Sequence, residues 1–236
     1  MRDRRLDSVV CEDNRAAPRD ESRDIGNESA APTIKGLLER CRGERERQSW
    51  EGAFSSDGRP AIGWLCSYVP EELIHAAGAQ PVRLLGNSEQ EITTDGYMAA
   101  TFCSLVRSVF ELAMQGQCRG LQGAVFVASC DHMRQLYDLW TAFTPAPFQH
   151  VLSLPRKPSA NARAMYLSEV RRLKEALERH LGTLIEDEAL RESIALYNET
   201  RRLLRQVYAL QQGPRPPLSG AELVTLLHGA ALLPRE

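Results

Sequence analysis

Short apolar runs of strand length alternate with helix-forming text through the middle of the chain. This alternation constrains the fold more than any other feature. AIGWLC (61–66) reads as a strand. Pro70 then opens a helix, PEELIHAAG, with acids in its first turn and Gly78 as its stop. PVRLL (81–85) is a second strand, and Asp95 is the expected N-cap of a long amphipathic helix reaching Met114. GAVFVAS (123–129) is the clearest buried strand, DHMRQLYDLW (131–140) follows as a helix, and PFQHVLSLP (147–155) is a fourth strand. A β-α-β-α-β-α-β order of this kind specifies an α/β fold, a doubly wound parallel sheet flanked by helices.

Outside that middle the text changes character. Residues 1–32 are nearly half charged and lack an apolar period, so a disordered charged tail is expected there. Residues 33–158 are expected to form the α/β domain with a short N-terminal helix (33–50), in which Ile34, Leu37, Leu38 and Cys41 share one face. Residues 159–236 read as a helical segment. Its first helix carries Met165, Leu173 and Leu177 on one stripe and stops at Gly182; its second (188–211) carries Ile194, Tyr197, Leu204 and Tyr208; Ser219 caps a third that ends at Gly229.

The six cysteines are Cys11, Cys41, Cys66, Cys103, Cys118 and Cys130. None pairs with another at the spacing of a zinc ribbon or a bacterial ferredoxin. Ordinary buried thiols and a site assembled from cysteines distant in sequence both remain open. Position separates the cysteines. Cys66 ends the first strand, Cys103 lies near the start of the long helix, and Cys130 ends the third strand just before a helix N-terminus. Ligands of open parallel sheets bind outside the carboxyl ends of the strands, and a helix N-terminus stabilises a thiolate. Three thiolates there would suit iron–sulfur or zinc. Cys41 reads as a packing residue, Cys11 falls in the tail, and Cys118 sits in a GQCRG turn at the opposite end of the sheet.

Other candidates have simpler readings. His75 is expected to be a packed, hydrogen-bonded helix histidine, with a place facing the site as the alternative, and Glu71 and Glu72 to serve the dipole of their helix, with catalytic acids as the alternative. Asp131 reads as a helix cap and Arg134 as part of a solvated face, with a supporting role around the cysteine sulfurs as the alternative. Trp64, Tyr137 and Trp140 read as core. The formal net charge of -2 gives no basic field for nucleic acid, no apolar run reaches the roughly 18 residues of a membrane span, and the N-terminus lacks a secretory h-region. No nucleic-acid or membrane partner is expected, and a cytoplasmic protein is.

The run GWLCSYVPEELIHAAGAQPVRLLG resembles the opening motif of the 2-hydroxyacyl-CoA dehydratase family, which includes ATP-dependent benzoyl-CoA reductase subunits and double-cubane-cluster reductases. The resemblance continues through FCSLVRSVFELAMQG, GAVFVASCDHMRQLYDLW, HVLSLPRKPS, KEALERHLG and ALRESIALYNETRRLLRQVYAL, from about Gly63 to Leu232. It implies a subunit with two α/β domains holding a [4Fe-4S] cluster or a double-cubane iron–sulfur cluster between them. Cys66, Cys103 and Cys130 match the family's cluster cysteines of the first half. The implied chemistry is one-electron reduction of an acyl-CoA-type substrate, with electrons from a separate ATP-dependent iron–sulfur activator. A ketyl-type radical then lets an otherwise unactivated hydroxyl leave. The sequence carries no second α/β half, so a sister subunit or second-half polypeptide is the expected partner. The alternative is a non-catalytic remnant or assembly module with at most a partial metal site.

Overall fold

The structure, a computed structural model, describes residues 34–46, 58–86, 92–144 and 146–235. The expected tail, with Cys11, lies outside them. In chain order the elements are α1 (Ile34–Glu46), β1 (Ala61–Trp64), α2 (Glu71–Ala76), β2 (Gln80–Arg83), a 3-10 turn (Thr94–Gly96), α3 (Ser104–Met114), β3 (Leu121–Val127), α4 (Asp131–Phe143), β4 (Phe148–Leu152), α5 (Ala160–Leu181), α6 (Asp187–Leu210) and α7 (Gly220–Leu232). The four strands form one sheet in the order β2-β1-β3-β4, and every pair is parallel. The expected α/β fold is the one observed.

Alternation along β3 explains why both faces are covered. Ala124 and Phe126 point into a core shared with Val109 and Phe110 of α3 and Leu136 and Trp140 of α4. Val125 and Val127 point the other way, against Leu73 and Ile74 of α2 and Leu173 and Leu177 of α5. A strand apolar on both faces has to lie inside a sheet sandwiched by helices. Trp64 and Trp140 are buried core residues, as expected, and Tyr137 packs partly buried against the α3–α4 side of the core.

The long helix expected from Asp95 is a correction. The helix starts only at Ser104, with Cys103 in the N-cap position, and Asp95 sits in the separate 3-10 turn. Glu111 supplies the physical reason. Its carboxylate, buried on α3, accepts from the backbone N–H groups of Thr93 (2.8 Å) and Thr94 (2.9 Å) and from the Thr93 hydroxyl (2.7 Å). That folds the preceding segment back onto the helix instead of extending it. Burial works to raise the Glu111 pKa, but these hydrogen bonds outweigh it and hold the carboxyl below the usual carboxylate range. Asp95, rather than capping a helix, pairs with Arg107.

Two expectations in the helical segment also shift. Met165 is exposed, because α5 buries only its later turns, through Glu169, Leu173 and Leu177. On α6 the buried positions are Ser193 and Tyr197, while Ile194 and Tyr208 are exposed. A polar residue holds the inner position there because Ser193 bonds across to α2. Gly182 terminates α5 in a left-handed conformation (φ 68°), and Ser219 caps α7 in a reciprocal box with Glu222. Helices α1 and α7 approach closely at Gly229, where a Cβ would stand 2.1 Å from the Cys41 Sγ. Cys41 is therefore the packing residue expected.

Candidate functional site

In a sheet ordered 2-1-3-4, the chain leaves β1 and β3 toward helices on opposite faces, which opens a crevice at their carboxyl ends. Backbone bonds fix both rims. Leu65 N–H donates to Val125 O at 3.1 Å and carries the ladder one residue past β1; Cys66 then turns left-handed, with φ 72°. Cys66 is the one non-glycine residue with positive φ among the described residues. On the other rim, Ala128 N–H donates to Leu152 O (2.9 Å) and Ser129 N–H to Val127 O (2.7 Å), a tight turn that delivers Cys130 to the N-cap of α4. The turns meet where the Cys66 thiol donates to the Ser129 hydroxyl, at 3.4 Å.

Cys103 reaches the same edge from α3. It is the N-cap residue, exposed, in extended conformation (φ -63°, ψ 146°). Its backbone N–H donates to Nδ1 of His132, in the first turn of α4, at 3.3 Å. An N–H can only donate, so Nδ1 accepts and the ring carries its proton on Nε2. The imidazole is further held by stacking on Phe102, 4.7 Å between centroids. The Cys103 and Cys130 side chains make no capping hydrogen bond. Two exposed thiols thus stand at two helix N-termini.

The structure thus places Cys66, Cys103 and Cys130 at one edge of the sheet, Cys66 against the Ser129–Cys130 turn and Cys103 against the start of α4. Among the described residues, no three His, Cys, Asp or Glu side chains surround a single point as the ligands of one metal ion would. A cubane makes a different demand, since each of its irons takes its own thiolate and the cysteines stand around the cube. Three free thiols at one edge of the sheet are of the donor type a cubane takes.

The remaining candidates fall into place as structural groups. Cys118 is half-buried near the start of β3, its thiol donating to Ala113 O at 3.7 Å, and burial pushes its pKa up to about 11. His75 bonds through Nδ1 to Ser193 Oγ (3.0 Å), which itself donates to Glu72 O (3.0 Å), and it meets Tyr197 edge-on. Glu71 and Glu72 do more than serve a dipole: Glu72 pairs with Arg201 of α6 at 2.5 Å, and Glu71 lies 3.8 Å from Arg235. Asp131 is a first-turn residue paired with Arg134, not the cap, because Cys130 occupies the cap position.

Sequence reasoning missed Ser129, His132 and Arg83. The first two flank Cys130 in the text SCDH, which is the one signal that could have found them. Arg83, opposite Trp64 in the ladder, lies over the indole ring at 4.5 Å, and burial holds its guanidinium below the usual range. A cavity of about 360 Å³ beside β4, lined by Tyr137, His150, Glu169 and Arg172 among others, contains none of the three cysteines.

Comparison with known proteins bears on the same residues. Residues 66–236 match the family described as 2-hydroxyglutaryl-CoA dehydratase, D-component, a match that begins at Cys66. A benzoyl-CoA reductase subunit of Thauera aromatica is 31% identical over 192 residues, covering 80% of this chain and 49% of the relative. The beta subunit of lactoyl-CoA dehydratase from Anaerotignum propionicum is 33% identical over 151 residues, 63% of this chain and 40% of the relative. The beta subunit of (R)-2-hydroxyglutaryl-CoA dehydratase from Acidaminococcus fermentans is 27% identical over 180 residues, 75% and 48%. The chain spans about half the length of the curated relatives it matches. Among the described residues no helix is long and apolar enough to cross a membrane.

Proposed function

Because the chain belongs to the 2-hydroxyglutaryl-CoA dehydratase D-component family, we propose that it is an iron–sulfur subunit of a 2-hydroxyacyl-CoA dehydratase or benzoyl-CoA reductase type of enzyme. Cys66, Cys103 and Cys130 are its contribution to a [4Fe-4S] or double-cubane cluster. The observation that carries this reading is Cys66, a non-glycine residue in a left-handed conformation (φ 72°) at the crevice between β1 and β3. A side chain there costs conformational energy that the fold does not need, and such outliers gather at functional sites.

The residues of this chain have definable tasks. Cys66, Cys103 and Cys130 bind iron as thiolates. Free N–H groups at the starts of α3 and α4 offset the charge of Cys103 and Cys130. Phe102 and His132 fix the start of α3 against α4. When bound, the cluster supplies single electrons to an acyl-CoA-type substrate, fed by an ATP-dependent activator protein. A sister subunit or second α/β polypeptide supplies the remaining enclosure, in keeping with relatives whose names are those of subunits.

Anaerobic reconstitution of the full chain with iron and sulfide tests this. The expected result is a broad sulfur-to-iron absorption and a reduced-state EPR signal, both lost in Cys66→Ala, Cys103→Ala and Cys130→Ala while far-UV circular dichroism is unchanged. A wild-type chain that takes up no iron–sulfur cluster, alone or with its sister subunit, overturns the reading in favour of a non-catalytic module.

A further inference from the structure

We propose that Ser129 is a positioning residue for the Cys66 sulfur: its hydroxyl donates to that sulfur once Cys66 is a thiolate ligand, and so raises the reduction potential of the cluster. The inference rests on the iron–sulfur reading above and adds a residue to it. Both sides of the contact are held by backbone, not by flexible side chains. Cys66 is fixed by its left-handed turn directly after the Leu65–Val125 ladder bond, and Ser129 by its own N–H to Val127 O at 2.7 Å. Their side chains meet at 3.4 Å across 63 residues of sequence.

The direction of this bond depends on the state of the sulfur. A thiol has one proton, and here it donates to the Ser129 oxygen. A metal-bound sulfur has none, so the bond survives only if the hydroxyl rotates and donates instead. Serine can do this because one oxygen both accepts and donates. The contact thus persists through the change from free thiol to ligand, which an apolar side chain or a carbonyl at the same place would not allow. A donor to a cysteine sulfur withdraws charge from the iron it ligates and favours the reduced state.

Ser129→Ala and Ser129→Thr, compared with wild type in reconstituted full-length protein, provide the test. The cluster midpoint potential, followed by EPR during redox titration, is expected to fall in Ser129→Ala and to stay near wild type in Ser129→Thr, which keeps the hydroxyl. An unchanged potential in Ser129→Ala at full cluster content overturns the proposal. The cluster-free protein offers a second readout. The infrared S–H stretching band of Cys66, assigned by its loss in Cys66→Ala, is expected to move to higher frequency in Ser129→Ala; a band that does not move overturns the positioning role. A wild-type chain without a cluster would sink the iron–sulfur reading and the effect on potential, whereas the infrared band decides the positioning role by itself.

Discussion

Cys66 and Cys118 show how far a cysteine's surroundings decide what it can do. At φ 72° Cys66 pays for its Cβ, and glycine would not. Cys66→Gly is therefore expected to be more stable than Cys66→Ala by about 1 kcal/mol in urea unfolding of the cluster-free protein. Equal stabilities would show that the neighbouring turn absorbs the strain. Cys118 is the opposite case. Burial pushes its thiol pKa up to about 11, so at pH 8 it should stay unmodified by iodoacetamide in the native protein while exposed Cys103 and Cys130 react, as peptide mass spectrometry would report. The edge positions of Cys66 and Cys130 were legible in sequence, because strand–turn–helix text places a residue at an edge without any knowledge of partners, whereas Cys103 was read inside a helix from Asp95 and stands instead at the N-cap of α3. Ser129 and His132 were not legible. Their bonds to Cys66 and Cys103 join segments 63 and 29 residues apart, and their place beside Cys130 in SCDH does not say which partner each meets.

Among the elements, the limits of reading had two sources. Strands and most helices announced themselves through their own apolar periods, and β3, apolar on both faces, was the plainest. The start of α3 did not, because Glu111 draws Thr93 and Thr94 into a turn by a tertiary contact that competes with helix extension. Ile194 and Ser193 exchanged roles on α6 for the same kind of reason, since Ser193 finds two partners on α2. The α1–α7 contact was invisible in sequence, for it depends on how close two helix backbones come. At Gly229 a Cβ would lie 2.1 Å from the Cys41 Sγ and 3.2 Å from its Cα. Gly229→Val is expected to destabilise the protein by about 1–3 kcal/mol and to expose α1 to trypsin at Arg40 and Arg42. A variant as stable and as resistant as wild type would mean that the helices can separate without loss.

Over the whole molecule, the first turn of α2 ties distant parts together. Arg201 of α6 pairs with Glu72, and Arg235 approaches Glu71 while lying over the Tyr197 ring at 5.6 Å. Burial raises the Glu71 pKa, and the arginines offset that only in part. The folded state then binds this proton more tightly than the unfolded chain does. The group's contribution is full below the unfolded carboxylate pKa and is lost as pH rises through the folded value. Glu71→Gln should accordingly match wild type in melting temperature near pH 4 and exceed it near pH 7, as a pH series of thermal melts would record. A variant that falls below wild type near pH 7 would show that the arginine contacts, not burial, govern Glu71. The parallel topology carries a consequence of another kind, in time instead of energy. No two neighbouring strands of this sheet are joined by a hairpin, so each ladder closes a long loop before it gains a contact. Cys66 and Ser129 become neighbours only when β1 has found β3. Until the sheet closes, the Cys66 thiol is without this partner, and its placement comes as a single late event.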